Sequence, residues 1–146
     1  MKPVDVITEI EIACPVEKVA DFSGNPDNAP RWYVNIKSVE WKTARSMTIG
    51  AQIAFQAQFL GKKLAYVYEI VEYIPNEKLV LRTADGPFPM ETTYRWEQIG
   101  ESRTRMILRN QGKPSGFSAL FAPFMTSAMR RANRKDLQLL KSILEK

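Results

Sequence analysis

Glu72 and Arg82 are the two charged residues of this sequence whose strand register decides between a pocket and water. Histidine is absent and Cys14 is the only thiol, so the commonest general base, the serine and cysteine triads and most transition-metal sites lack their parts. The glycines are scattered and build no phosphate-cradling loop, which leaves nucleotide binding without support. Carboxylates remain as the buried acids the chain can offer. Glu72 falls on the face of Tyr68 and Ile70 near a strand end, where a rim position in water is the commoner fate of a carboxylate. Pairing Glu72 with Leu81 points Arg82 outward, and a slip of one residue would turn it inward. No catalytic residue, metal site or cofactor is assigned.

Alternation instead collects an apolar face with a few hydroxyls and one amide. Phe55, Tyr66, Tyr68, Thr92, Tyr94, Met106 and Asn110 share it, joined by Ile53, Phe59, Leu81, Thr83, Met90, Trp96 and Leu108. Aromatics and methionines facing inward are ordinarily plain core. Three inward tyrosines, two threonines and Asn110 would all need buried partners in a solid core, however, and a pocket satisfies them more cheaply. A void of roughly 300 Å³ or more is expected there.

The elements that must position these residues are strands followed by one helix. Val6, Thr8, Ile10 and Ile12 alternate with Asp5, Glu9 and Glu11 in the first strand. Cys14-Pro15 opens a short helix that Gly24-Asn25-Pro26 stops; Asn25 caps a second one, limited by Pro30 to about one turn. A strand near Ile36 to Trp41 follows. Ile53, Phe55, Ala57 and Phe59 then lie opposite Ile70, Tyr68, Tyr66 and Leu64 across a turn holding Gly61. Three further strands, around Leu79 to Thr83, Met90 to Trp96 and Thr104 to Asn110, complete an antiparallel meander.

From Ser115 onward the sequence predicts one long amphipathic helix, with Phe117, Leu120, Phe121, Phe124, Met125, Ala128, Ala132, Leu139, Leu140, Ile143 and Leu144 on its apolar stripe. That helix must be buried against the sheet, and the width left between them sets whether there is a pocket. Trp32, Phe88 and Phe117 are placed at its entrance, and Phe121 on its wall as a gate. Pro123 is expected to kink the helix.

A chain of 146 residues buries about 70% of its unfolded surface as one domain, here 1–146, without needing disulfides. The lone cysteine points to a reducing, cytoplasmic setting. The net charge of +5 raises nucleic acid as a partner, but Arg130, Arg131, Arg134 and Lys135 read as the solvated back of the long helix, so no nucleic acid is expected. Neither a signal peptide nor a membrane span is expected, only weak contact with an anionic surface. Nothing in the sequence specifies an oligomeric state.

The order of strand, two short helices, antiparallel meander and long terminal helix resembles the helix-grip fold, an α+β architecture. The superfamily concerned includes polyketide cyclases and dehydrases, START lipid-transfer domains and birch-pollen allergens. Pro15-Val16-Glu17-Lys18-Val19 with Phe22 and Pro30-Arg31-Trp32 is similar to its opening segment. Tyr68 to Pro75 with Lys78-Leu79, Thr93 to Glu97 and the ending Leu137, Leu140-Lys141, Leu144-Glu145 are similar to its later ones. The resemblance implies a cavity between sheet and helix for a hydrophobic or amphipathic small molecule: a lipid, a polyketide or an aromatic metabolite. Binding ranks first; the alternative the resemblance permits is a cyclase or dehydrase, which would need Glu72 or Arg82 inside, and a weaker one is a protein-interaction domain, which would need an exposed apolar patch.

Overall fold

The computed structural model describes residues 4–59, 61–86, 89–113 and 122–146. Strand β1 (Val4–Ile12) alternates buried and exposed positions along nearly its whole length, as its sequence dictates. Pro15 precedes α1 (Val16–Ser23), whose buried residues Val16, Val19 and Ala20 recur on one side. Asn25 caps a 3-10 turn, Pro26–Asn28, by accepting from the Asp27 amide at 3.0 Å. Pro30 does not end this segment, because it lies in the first turn of a separate helix α2 (Ala29–Trp32), where a missing N–H is harmless.

The remaining strands are β2 (Ile36–Trp41), β3 (Gln52–Phe59), β4 (Lys62–Ile74), β5 (Lys78–Asp85), β6 (Met90–Gly100) and β7 (Arg103–Gly112). All seven form one antiparallel sheet in the order β1-β7-β6-β5-β4-β3-β2. The chain leaves β1 at one edge and re-enters at the other, so α1, the 3-10 turn and α2 span the sheet. Helix α3 (Ala122–Leu144) packs on β1, α1 and α2. This is the helix-grip arrangement.

Two registers differ from expectation. Ile53, Phe55 and Ala57 pair with Tyr68, Tyr66 and Leu64, and Phe59 with Lys62, two residues from the expected partners. The turn is tighter than foreseen, with Gly61 at φ 78°. A shift of two keeps every side chain on its face, so the expected inward set survives. Between β4 and β5 a bulge falls between Ile70 and Glu72, which places Glu72 opposite Val80. An odd residue inverts the alternation, and Glu72 leaves the face of Tyr68 and Ile70.

The core gathers Ile12, Val19, Trp32, Ile53, Ile70, Leu79, Met106, Leu108, Leu137 and Leu140. On α3 the buried positions are Met125, Asn133, Asp136, Leu137, Leu140 and Leu144, whereas Phe124 is 62% exposed and Leu139 37%. The stripe expected through Phe124 and Leu139 is therefore rotated. Gly24 closes α1 against β6, and a Cβ there would stand 2.7 Å from the Ala20 carbonyl oxygen and 3.1 Å from the Trp96 ring. Gly24→Ala is expected to lose about 1–3 kcal/mol in a thermal or urea melt through overpacking; an unchanged midpoint would show that the helix end yields freely.

Candidate functional site

A cavity of about 130 Å³ lies between the concave face of the sheet and α3. It falls short of the roughly 300 Å³ expected of a ligand pocket. Aromatic rings account for the difference. Phe55 stacks on Tyr66 at 5.5 Å, and Tyr68 meets both edge-on at 5.8 and 5.0 Å, so side chains aimed at the void also fill it. A satellite void of about 30 Å³ shares Tyr68, Met90, Asn110, Met125 and Met129 with the main one. Thioether side chains repack readily, so this shared wall is the deformable one.

Of the residues expected to bind ligand, Phe55, Tyr66, Tyr68, Thr92, Tyr94 and Asn110 line the cavity. Met106 does not. It faces inward but is fully buried in the solid core, paired with Ile10 and Trp96 where the sheet is closed by neighbouring elements. Trp32 is not an entrance residue either: it is completely buried on α2, its ring tilted 35° against that of Tyr33 at 4.1 Å. Its neighbour Tyr33 lines the cavity instead. Phe88, Phe117 and Phe121, and with them the proposed gate, lie outside the described residues, as do Ser115 to Leu120 of the expected helix. The kink expected at Pro123 falls at the edge of the described helix, outside the described side chains.

Glu72 and Arg82 stand on the outer face of the sheet. Glu72 pairs with Lys78 at 3.2 Å, and Arg82 donates twice to Glu91, at 3.0 and 2.8 Å. Neither reaches the cavity. The ionisable group that does is Asp136, which the sequence reading passed over. It is buried, and one of its oxygens accepts from the Val34 amide at 2.9 Å. Burial pushes its carboxyl up to about 6, with the Val34 hydrogen bond acting the other way. Met125, Met129, Asn133, Asp136, Leu140 and Leu144 follow one another at three- or four-residue steps. A carboxylate on a stripe of this kind was the available signal.

Five of the other polar side chains satisfy one another. Tyr33 and Tyr94 share a hydrogen bond of 2.6 Å between their hydroxyls; Tyr68 and Thr92 share one of 2.8 Å, and Thr92 donates to Asn110 at 2.7 Å. Burial raises the phenols of Tyr33, Tyr66 and Tyr94 well above the ordinary value and that of Tyr68 to about 12. All four are neutral at physiological pH and can donate hydrogen bonds, but none is a phenolate nucleophile. Asn133 is the exception: it is 4% exposed, and its Nδ2 has no hydrogen-bond partner among the described residues. Asp136 is the sole charged group among the described residues that line the cavity.

The sequence matches the family described as polyketide cyclase / dehydrase and lipid transport over residues 3–145. The chain belongs to this family. Solved structures agree on the fold. A START superfamily protein from Mycobacterium smegmatis has a TM-score of 0.83 at 14% identity, covering 97% of each chain. The Zhui aromatase/cyclase from Streptomyces sp. R1128 has a TM-score of 0.83 at 13% identity, covering 99% of this chain and 94% of the other. A protein of Thermus thermophilus has a TM-score of 0.81 at 19% identity, covering 96% of each chain. A search of curated proteins finds no match. Family membership thus comes with the helix-grip scaffold, and the described residues include no helix long and apolar enough to cross a membrane.

Proposed function

We propose that this member of the family binds a small apolar molecule, or one ring of a larger one, between the sheet and α3. The observation that carries this is the apolar wall of Phe55, Leu81, Met90, Met125 and Met129, with the buried amide of Asn133 and carboxyl of Asp136 among the few polar groups that face it. Burial supplies affinity and a few polar atoms set orientation. An apolar cavity of roughly 150 Å³ is already large enough for benzene. The size therefore favours an aromatic metabolite over a whole lipid chain, unless the methionine wall opens.

Filling the cavity tests this. Ala132 lines it from α3, and Ala132→Phe is expected to weaken an environment-sensitive apolar probe at least tenfold at a cost of about 1–3 kcal/mol in stability. Native mass spectrometry of protein from its own host is expected to show a co-purifying small molecule in wild type and less of it in the variant. Unchanged probe affinity in a folded Ala132→Phe protein would place binding elsewhere.

A second reading, turnover of cyclase or dehydrase type, is favoured by Asp136. A cavity-lining carboxyl held near 6 is poised for proton transfer close to neutral pH, and it takes the place that Glu72 and Arg82 do not fill. The interaction-domain reading finds less support. Ile7, Val34, Ile49, Ile74, Phe124 and Leu139, the exposed large apolar residues among those described, are spread along the chain, with Phe124 and Leu139 fifteen residues apart on α3.

A further inference from the structure

We infer that Asn133 and Asp136 together recognise a hydroxyl group on an uncharged apolar ligand, an inference that rests on the cavity being a ligand site. Among the described residues two buried side-chain nitrogens lack a hydrogen-bond partner, Trp32 Nε1 and Asn133 Nδ2, and the second belongs to a residue lining the cavity. A buried donor left unsatisfied forfeits its hydration with nothing in exchange, so its partner is to be sought in what fills the space. Asp136 stands one helical turn on, on the same face. Its Oδ1 is held by the Val34 amide, and Oδ2 makes no hydrogen bond among the described residues.

The pair thus presents one free donor beside one free acceptor. A hydroxyl matches both, since its oxygen accepts from Asn133 while its hydrogen goes to Asp136. The alternatives each leave a defect. A carboxylate would face Asp136 with no lysine or arginine in the described lining to offset the repulsion. A carbonyl or nitrile satisfies Asn133 but points its lone pairs at Asp136. An ammonium satisfies Asp136 and sets its own N–H groups against that of Asn133. A bare hydrocarbon leaves both groups unpaired. Tyr33, Tyr68, Tyr94 and Thr92 do not compete, being bonded to one another or to Asn110; Tyr66, the remaining tyrosine of the lining, stands on β4 and not on α3 beside the pair.

Single-ring probes differing in one substituent test this by calorimetric titration at pH 7.5: toluene, p-cresol, p-tolunitrile, p-toluate and benzylamine. On wild-type protein p-cresol is expected to bind at least tenfold tighter than toluene, with p-toluate weakest. Asn133→Leu should remove the advantage of p-cresol while leaving toluene unweakened. Asp136→Asn keeps an acceptor for Val34 but turns a second donor toward the ligand, so the preference should pass from p-cresol to p-tolunitrile. Equal affinity for toluene and p-cresol in wild type would overturn the hydroxyl site and leave the cavity reading standing. Tightest binding of benzylamine would overturn it in favour of a cation site. Failure of every probe to bind would remove the cavity reading along with it.

Discussion

Leu140→Ala is expected to cost about 2–5 kcal/mol and to lower the melting temperature by on the order of 10 °C. Leu140 is fully buried in the same cluster as Ile12, Leu137 and Leu144. The end of α3 around it is tied to the start of the chain: Cys14 Sγ and Lys18 Nζ donate to the Leu144 carbonyl at 3.1 and 3.2 Å. Glu145 also accepts from the Ala13 amide at 2.8 Å. These tethers prevent the helix from sliding to fill the hole a leucine side chain would leave, so the cavity term is felt in full. Leu139 is the internal control. It is 37% exposed, and Leu139→Ala is expected to change stability by only about 0.5 kcal/mol. Equal losses for the two variants in urea titrations would show that α3 is not seated on this face.

Asp136→Asn is expected to stabilise the protein at pH 7.5 by about 3 kcal/mol while leaving it unchanged near pH 4. In the folded chain the Asp136 carboxyl is pushed up to about 6 from an ordinary 3.8. The folded state therefore holds the proton more tightly than the unfolded state. Between those values the folded state carries more protons, so its contribution to stability is greatest below about pH 4 and falls as pH rises to about 6. Above that it stays flat, and about two units at roughly 1.4 kcal/mol each give the expected size. Of the titratable groups around it, Tyr33 and Tyr94 are themselves raised partly by the charge of Asp136 and stay neutral throughout. Asp5 and Glu145 titrate with the opposite sign. The Arg109 hydrogen bond lowers the first and the Ala13 amide the second, so the measured quantity is the difference between wild type and variant at each pH. Identical melting profiles for the two proteins across pH 4 to 8 would mean that Asp136 is not desolvated. A residue that weakens the fold at neutral pH while lining a cavity has the profile of a functional group rather than a structural one.

The sequence by itself determined the elements and their faces. Alternation in β1, β6 and β7 is set by residue type one position at a time, and a face is recoverable even when partners are not. The partners that alternation suggests for Ile53 and Phe55 lie two residues from those the structure pairs them with, yet Tyr66 and Tyr68 line the cavity all the same. The same local information fixed the absence of imidazole chemistry and placed Thr92, Tyr94 and Asn110 on the inner face.

Tertiary structure decided what depends on distances between segments remote in sequence. The bulge at Val71 exists only in the pairing of β4 with β5 and leaves no mark in the residues themselves, and it carries Glu72 to the outer face. Whether Met106 lines a void or fills a core depends on the elements that cover it, and the volume of that void depends on how Phe55, Tyr66 and Tyr68 pack together. Asp136 was legible as a carboxylate on an apolar helix stripe. Its raised pKa was not, because desolvation is produced by the whole surrounding fold, with the Val34 amide 102 residues away in sequence opposing it.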